Sequence, residues 1–268
     1  MPPDRSSDSS GTDSIGGCLR DSLHPSGQSA MRGQSSIIGV ALLLGITVVA
    51  ISALTASTGA LVADGVAAAD TTRVSTDLNQ VFDPRNNRHT TEMRLSRGTV
   101  SVRNRSIRLL TDGDDVVWSG HAGALVYQSG SRTLTAFAGA IIRQDRQTAT
   151  MPGESRISVS PDALYLGVPV LNVSGADAVS TRGHRLVISF QTAARSNRIV
   201  LPAAAYKIAI ETTTPGIWEQ HLRERGAETT TQRDIDNDGL ISVIATFDGT
   251  RRTHIVVHDI QVNVAVGQ

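Results

Sequence analysis

The chain has 268 residues, its 25 basic and 25 acidic side chains cancel, and aromatic residues make up only 3% of it. No basic run stands out from the scattered arginines, so no nucleic-acid partner is expected. Cys18 is the single cysteine, which excludes a disulfide within the chain and leaves packing to hold the fold.

Residues 1–33 read as an extension outside any core. Half of the first 30 are Ser, Gly or Pro with no hydrophobic period, so ordering them would cost more entropy than burial returns, and disorder is expected. Met31 is an alternative start, and residues 1–30 then read as an over-extended reading frame. Cys18 follows no apolar stretch and does not fit a lipid attachment site.

Residues 34–83 predict one long helix. From Ile37 to Ala63 there is neither a charge nor a proline, and about 20 apolar residues are enough to cross a bilayer core. A secretory signal would carry only about 7–15 apolar residues before a small-residue cleavage site. Ala67-Ala68-Ala69 could serve as one, but the run is too long, so a retained single-pass anchor in the cell membrane is expected. Arg20 and Arg32 precede the span, whereas Asp64, Asp70, Asp77 and Asp83 follow it with only Arg73 among them. The positive-inside rule then places the N-terminus in the cytoplasm and the C-terminal domain outside. Gly39, Gly45, Gly59 and Gly65, with Ser52 and Ala56, offer small-residue surfaces on which membrane helices approach closely.

The helical period continues through residues 64–82. Ala67, Thr71, Val74, Leu78 and Val81 form an apolar stripe, with Asp64, Asp70, Arg73 and Asp77 mostly off it. Pro84 closes the helix and Asn86-Asn87 supplies turn chemistry. This half reads either as a plain stalk or as a docking surface for its own β domain.

Residues 88–268 switch to a period of two. Val100 and Val102, then Ile107 and Leu109, flank Arg103-Asn104-Arg105-Ser106 and predict a hairpin. Leu186, Ile188 and Phe190 alternate with Val187, Ser189 and Gln191, and Tyr206, Ile208 and Ile210 with Lys207, Ala209 and Glu211. Ile255 and Val257 lie on one parity and Ile260, Val262, Val264 and Val266 on the other, which predicts a bulge near His258-Asp259. One short helix interrupts the strands: Thr214 caps it, Pro215 takes its first position, Trp218 and Leu222 share a face, and Gly226 ends it. The expected class is α+β: a long N-terminal transmembrane and amphipathic helix, then an antiparallel β-rich domain, meander or sandwich-like, with one short helix.

Arg32-Gly33 followed by Gln34-Ser35-Ser36-Ile37-Ile38-Gly39-Val40 resembles the class III signal sequence of archaeal type IV pilins and pilin-like proteins. Thr213-Thr214-Pro215-Gly216-Ile217-Trp218, with Leu222-Arg223-Glu224-Arg225, is similar to a segment of a haloarchaeal pilin-like membrane family without assigned function. The high arginine content, with Lys207 the sole lysine, fits such a GC-rich source, whereas the neutral charge departs from the acidic surface of soluble halophilic proteins. The resemblance implies cleavage between Gly33 and Gln34 by a prepilin peptidase, retention of the apolar helix, and assembly with other pilin-like subunits by pilus machinery. Many relatives carry an acidic residue at the third mature position, where Ser36 stands here.

Asp234-Ile235-Asp236-Asn237-Asp238-Gly239 is the sharpest chemical motif. Alternate carboxylates before a glycine can converge on calcium through Asp234, Asp236 and Asp238, with Ile241 as the apolar tie. The twelfth position of an EF-hand loop would be Ala245, where a bidentate Glu belongs, so the competing reading is an acidic solvated turn. Asn104-Arg105-Ser106 and Asn172-Val173-Ser174 fit the N-glycosylation pattern, at Asn104 and Asn172, in predicted turns. His254 and His258 read as surface or satisfied core histidines rather than a metal pair. No nucleophile, base and orienter can be assembled, so an enzyme is not expected. The chain reads as a membrane-anchored extracytoplasmic pilin-like protein, a minor subunit of a pilus-like surface structure. The alternative is a monomeric anchored β-domain binding module, calcium-stabilised or not.

Overall fold

The computed structural model describes residues 32–82, 90–146, 148–174 and 178–266. The predicted extension before Met31 and the Pro84 to Asn87 turn lie outside them. The first element is one uninterrupted helix, α1 (Arg32–Val81). Its apolar side chains from Ile38 to Val62 are exposed, Leu61 at 72%. Among the described residues it is the one helix long and apolar enough to cross a membrane. The hydroxyls of Thr47, Ser52, Thr55 and Ser57 donate to carbonyls three or four residues back, each at 2.8 Å. The few polar side chains of this stretch are thereby satisfied within the helix, as an apolar surround demands.

From Thr58 onward α1 belongs to the same compact unit as the strands. Here one face sinks into the protein: Thr71, Val74, Leu78 and Val81 are buried, as the stripe predicts. Asp70 and Ser75 are buried beside them. Asp70 therefore lies on the stripe rather than off it, held by Arg73 at 3.2 Å.

The larger of two sheets has nine strands. Its order is β7 (Thr148–Gly153), β6 (Ala140–Asp145), β5 (Arg132–Phe137), β4 (Ala124–Ser129), β1 (Thr90–Arg103), β10 (Ala178–Ala204), β14 (Arg251–Val266), β9 (Ala163–Ser174) and β8 (Ile157–Val159). The smaller sheet runs β12 (Thr229–Arg233), β13 (Ile241–Thr246), β11 (Tyr206–Thr212), β2 (Ser106–Thr111) and β3 (Val116–His121). Every pairing is antiparallel except β14 with β9. The predicted hairpin around Asn104-Arg105 is instead a crossing between sheets, since β1 pairs with β4 and β10 while β2 pairs with β3 and β11.

That crossing separates two cores. Val100 packs with Val74, Leu78, Tyr127, Leu134, Ile188 and Phe190 against α1. Ile107 and Leu109 pack with Ile208, Ile210, Val243, Trp218 and Leu222 between the sheets. The larger sheet serves both cores because alternate side chains leave opposite faces: Ile141 joins the helix-side core and its neighbour Ile142 the inter-sheet core. The sandwich-like arrangement expected from sequence thus carries α1 on its far side.

The two-sided sheet also explains the parity change in β14. Leu166 with Ile255, then Leu171 with Ile260, are register partners along an unbroken parallel ladder. The first pair belongs to the inter-sheet core and the second to the helix-side core. No bulge in β14 is needed for the switch. The irregularity lies in β10, whose residues 193–195 fall between the pairs Thr192 with Ile260 and Ser196 with His258.

The second helix, α2 (Pro215–Glu224), starts at Pro215 as predicted, but Thr214 makes no side-chain cap. Its amide donates to Thr212 Oγ1 at 3.1 Å instead. At the other end Gly226 has φ +90°. Gly226 N–H donates to Arg223 O and Ala227 N–H to Leu222 O, both at 2.9 Å, which is the paired closure that a left-handed residue permits.

Gly98 in β1 has φ +117°, and a Cβ there would lie 2.5 Å from Gln128 O and 2.8 Å from Tyr127 Cε2. Gly98→Ala should cost about 1–2 kcal/mol in backbone conformation alone, with the clash added. A lowered denaturation midpoint of the detergent-solubilised chain would show this, and an unchanged one would mean that β1 can shift off β4.

Candidate functional site

The outer face of the smaller sheet carries a small apolar patch of Leu110, Ala209 and Ile244, and Ile235 packs on it. Ile235, rather than Ile241, therefore ties down the acidic loop between β12 and β13. The loop folds on itself: Asp234 Oδ2 accepts from Gly239 N–H and Asp238 Oδ1 from Leu240 N–H, both at 2.9 Å. Asn237 at φ +57° and Gly239 at φ +85° make the reversal.

Pinned this way, Asp236 and Asp238 meet Glu211 of β11, with one carboxylate oxygen from each within 4.8 Å of the others. Asp234 is not in this group, because its carboxylate serves the turn. Glu211 enters from a neighbouring strand, and sequence spacing gave no sign of it. Arg108 of β2 lies among them, paired with Asp236 and 3.6 Å from Glu211. Arg105 approaches Glu211 at 3.9 Å. Burial raises the Glu211 carboxyl above its ordinary range, the Asp238 charge adds to this, and Arg108 and Arg105 oppose it. Ser242, directly opposite Glu211 in the ladder, is buried with its hydroxyl unpartnered among the described residues.

Three convergent carboxylates are hard-cation chemistry, but here guanidinium groups supply the balancing charge. A calcium ion would have to compete with Arg108 for Asp236 and Glu211.

Of the sequon asparagines, Asn104 is exposed in the crossing between sheets, and Asn172 is exposed on β9 rather than in a turn. Gly33 and Gln34 fall in the first turn of α1. On β14, His254 stacks on Tyr165 with ring centroids 4.9 Å apart, and Arg198 reaches its Nδ1 at 3.2 Å. Burial, then the Arg156 charge, lowers the pKa of His258.

One pairing escaped sequence reasoning. Ser155, between β7 and β8, shares a 2.6 Å hydrogen bond with His221 Nε2 of α2. The signal was His221 lying three residues beyond Trp218, on the buried face of the helix. Both residues are buried, and no carboxylate hydrogen-bonds to His221 among the described residues. The geometry is that of a polar pin holding α2 to the larger sheet, beside the Arg225 to Glu154 ion pair at 2.8 Å.

A helix long and apolar enough to cross a membrane, a two-sheet domain packed on its second half and an acidic loop paired with arginine define an α+β chain. Over residues 32–263 the chain matches the family of unknown function DUF7289, and it belongs to that family. No curated protein and no solved structure matches it.

Two outcomes follow from these contacts. Removing the competing guanidinium in Arg108→Met frees two carboxylates, so calcium should raise the melting temperature of that variant more than that of the native chain; equal shifts would leave the cluster as ion pairs alone. Burial depresses the pKa of His221, with the Arg225 charge second. The folded state therefore prefers neutral His221. Its contribution is complete above the unfolded pKa of about 6.5 and is lost as pH falls through the lower folded value. Melting temperature should drop over that window, and less so in His221→Gln; identical drops would assign the effect to other groups.

Proposed function

We propose that this chain is a non-enzymatic, membrane-anchored, extracytoplasmic pilin-like protein, a minor subunit of an archaeal type IV pilus-like surface structure. The observation that carries this reading is the continuity of α1, exposed and apolar in its first half and packed on a β domain in its second. A plain anchor needs only the first half. A subunit that packs its greasy helix against copies of itself needs the second as well, to join that helix to its domain through packed side chains. Arg32-Gly33-Gln34 at the start of the same helix supports processing by a prepilin peptidase, with the N-terminus cytoplasmic before cleavage.

Ser36 favours a second reading, a monomeric anchored β-domain module on the cell surface. The chain lacks the acidic residue that many relatives carry at the third mature position, and in bacterial pilins an early glutamate helps register subunits in the filament.

Mass spectrometry of the mature N-terminus tests the first reading. Gln34 as the first residue, with recovery of the chain in shear-released filaments, is expected. A chain that keeps Gly33 and stays in the membrane fraction would favour the anchored module.

A further inference from the structure

The β6–β7 hairpin runs along α1, and three contacts fix its direction. At one end Gly153, the register partner of Ile141, lies against Asn79, whose Oδ1 would be 2.8 Å from an added Cβ. Midway, Arg143 Nη2 donates to Thr72 Oγ1 at 3.3 Å. At the other end Arg132 bridges Asp145, at 3.1 Å, to Asp64, whose carbonyl it reaches at 2.6 Å and whose carboxylate it holds at 2.9 and 3.3 Å. Rising residue numbers in β6 thus follow falling residue numbers in α1, toward the apolar segment.

The Asp145–Arg146 end of β6 therefore lies beside Asp64, within one helical turn of Leu61 and Val62, which are 72% and 68% exposed. Arg146 sits at this end in a left-handed conformation with φ +53°. Its amide donates to Ser131 O in the neighbouring β4–β5 turn at 3.4 Å, so the two turns form one surface. Arg132 is committed to Asp64 and Asp145, whereas the exposed Arg146 side chain has no ion pair or hydrogen bond among the described residues. The polar headgroup layer adds roughly 5–8 Å beyond the hydrocarbon on each side of a bilayer. Arg146, held beside Asp64, the first charged residue after the apolar stretch, falls within it.

We infer that Arg146, at the end of β6, and the β4–β5 turn beside it form a membrane-apposed surface on which Arg146 binds the phosphates of anionic lipid headgroups. This rests on the membrane-anchored reading above. Continuity with the exposed apolar surface of α1 identifies the occupant as lipid, and Arg146 is the cation at this surface that no carboxylate pairs among the described residues.

The test uses the full chain with Cys18→Ser, reconstituted into vesicles of phosphatidylcholine with or without phosphatidylglycerol. A fluorophore is placed at Ser131→Cys, or at Glu228→Cys just beyond α2, which the Ser155–His221 contact puts at the Gly153 end of the hairpin. Quenching by a headgroup-attached nickel chelate is then read. Strong quenching at residue 131 and little at 228 is expected. Since one arginine near an anionic surface contributes about a fivefold change in association, Arg146→Ala should reduce quenching by up to that factor in phosphatidylglycerol vesicles and leave it unchanged in pure phosphatidylcholine. Equal quenching at the two positions in chains that float with the vesicles would overturn the inference while sparing the anchor. Chains that fail to float would overturn both.

Discussion

The nine-stranded sheet sends apolar side chains into a core from each of its two faces, and the rest of the molecule is arranged to cover both. With Ile141 directed to one core and Ile142 to the other, β6 has no solvent side where these residues lie. Two apolar faces left open to water would forfeit the main favourable term in folding. The second sheet and α2 close one face. The C-terminal half of α1 closes the other, so the helix that leads into the apolar segment is also part of the domain's core. Cutting the chain at the end of α1 would remove Val74, Leu78 and Val81 and expose Tyr127, Leu134 and Phe190.

Period and composition made much of this legible. The change of rhythm after Pro84, the stripe through Val74, Leu78 and Val81, and the helix at Pro215 all follow from local side-chain patterns and appear where expected. What failed were inferences that needed to know which partner a strand would take. Val100 and Ile107 are close in sequence and alternate correctly, yet they feed different cores, because alternation reports that a face is buried and not against what. The parity change in β14 looked like an extra residue when it was the same strand passing from one core to the other.

The acidic loop shows the same boundary. Asp236 and Asp238 were visible as a pair, but Glu211 and Arg108 reach them from strands far away in sequence, brought together only by the ladders β11–β13 and β2–β11. Asp234 was grouped with them by spacing and separated from them by the turn hydrogen bond to Gly239. His221 and Ser155 illustrate the complementary case, in which a buried polar residue on an apolar helix face implies a partner without naming it.

The position of β14 has a consequence for how the chain reaches this state. It lies between β10 and β9, yet it is the last strand in chain order. While the chain is being synthesised, β10 and β9 each present an open edge until residues 251–266 arrive to join them. Long unpaired edges invite pairing with other chains. The interval between the appearance of β10 and the arrival of β14 is therefore the stage of biogenesis most exposed to misassociation, and a truncation that removes the final strand would hold the molecule in it permanently.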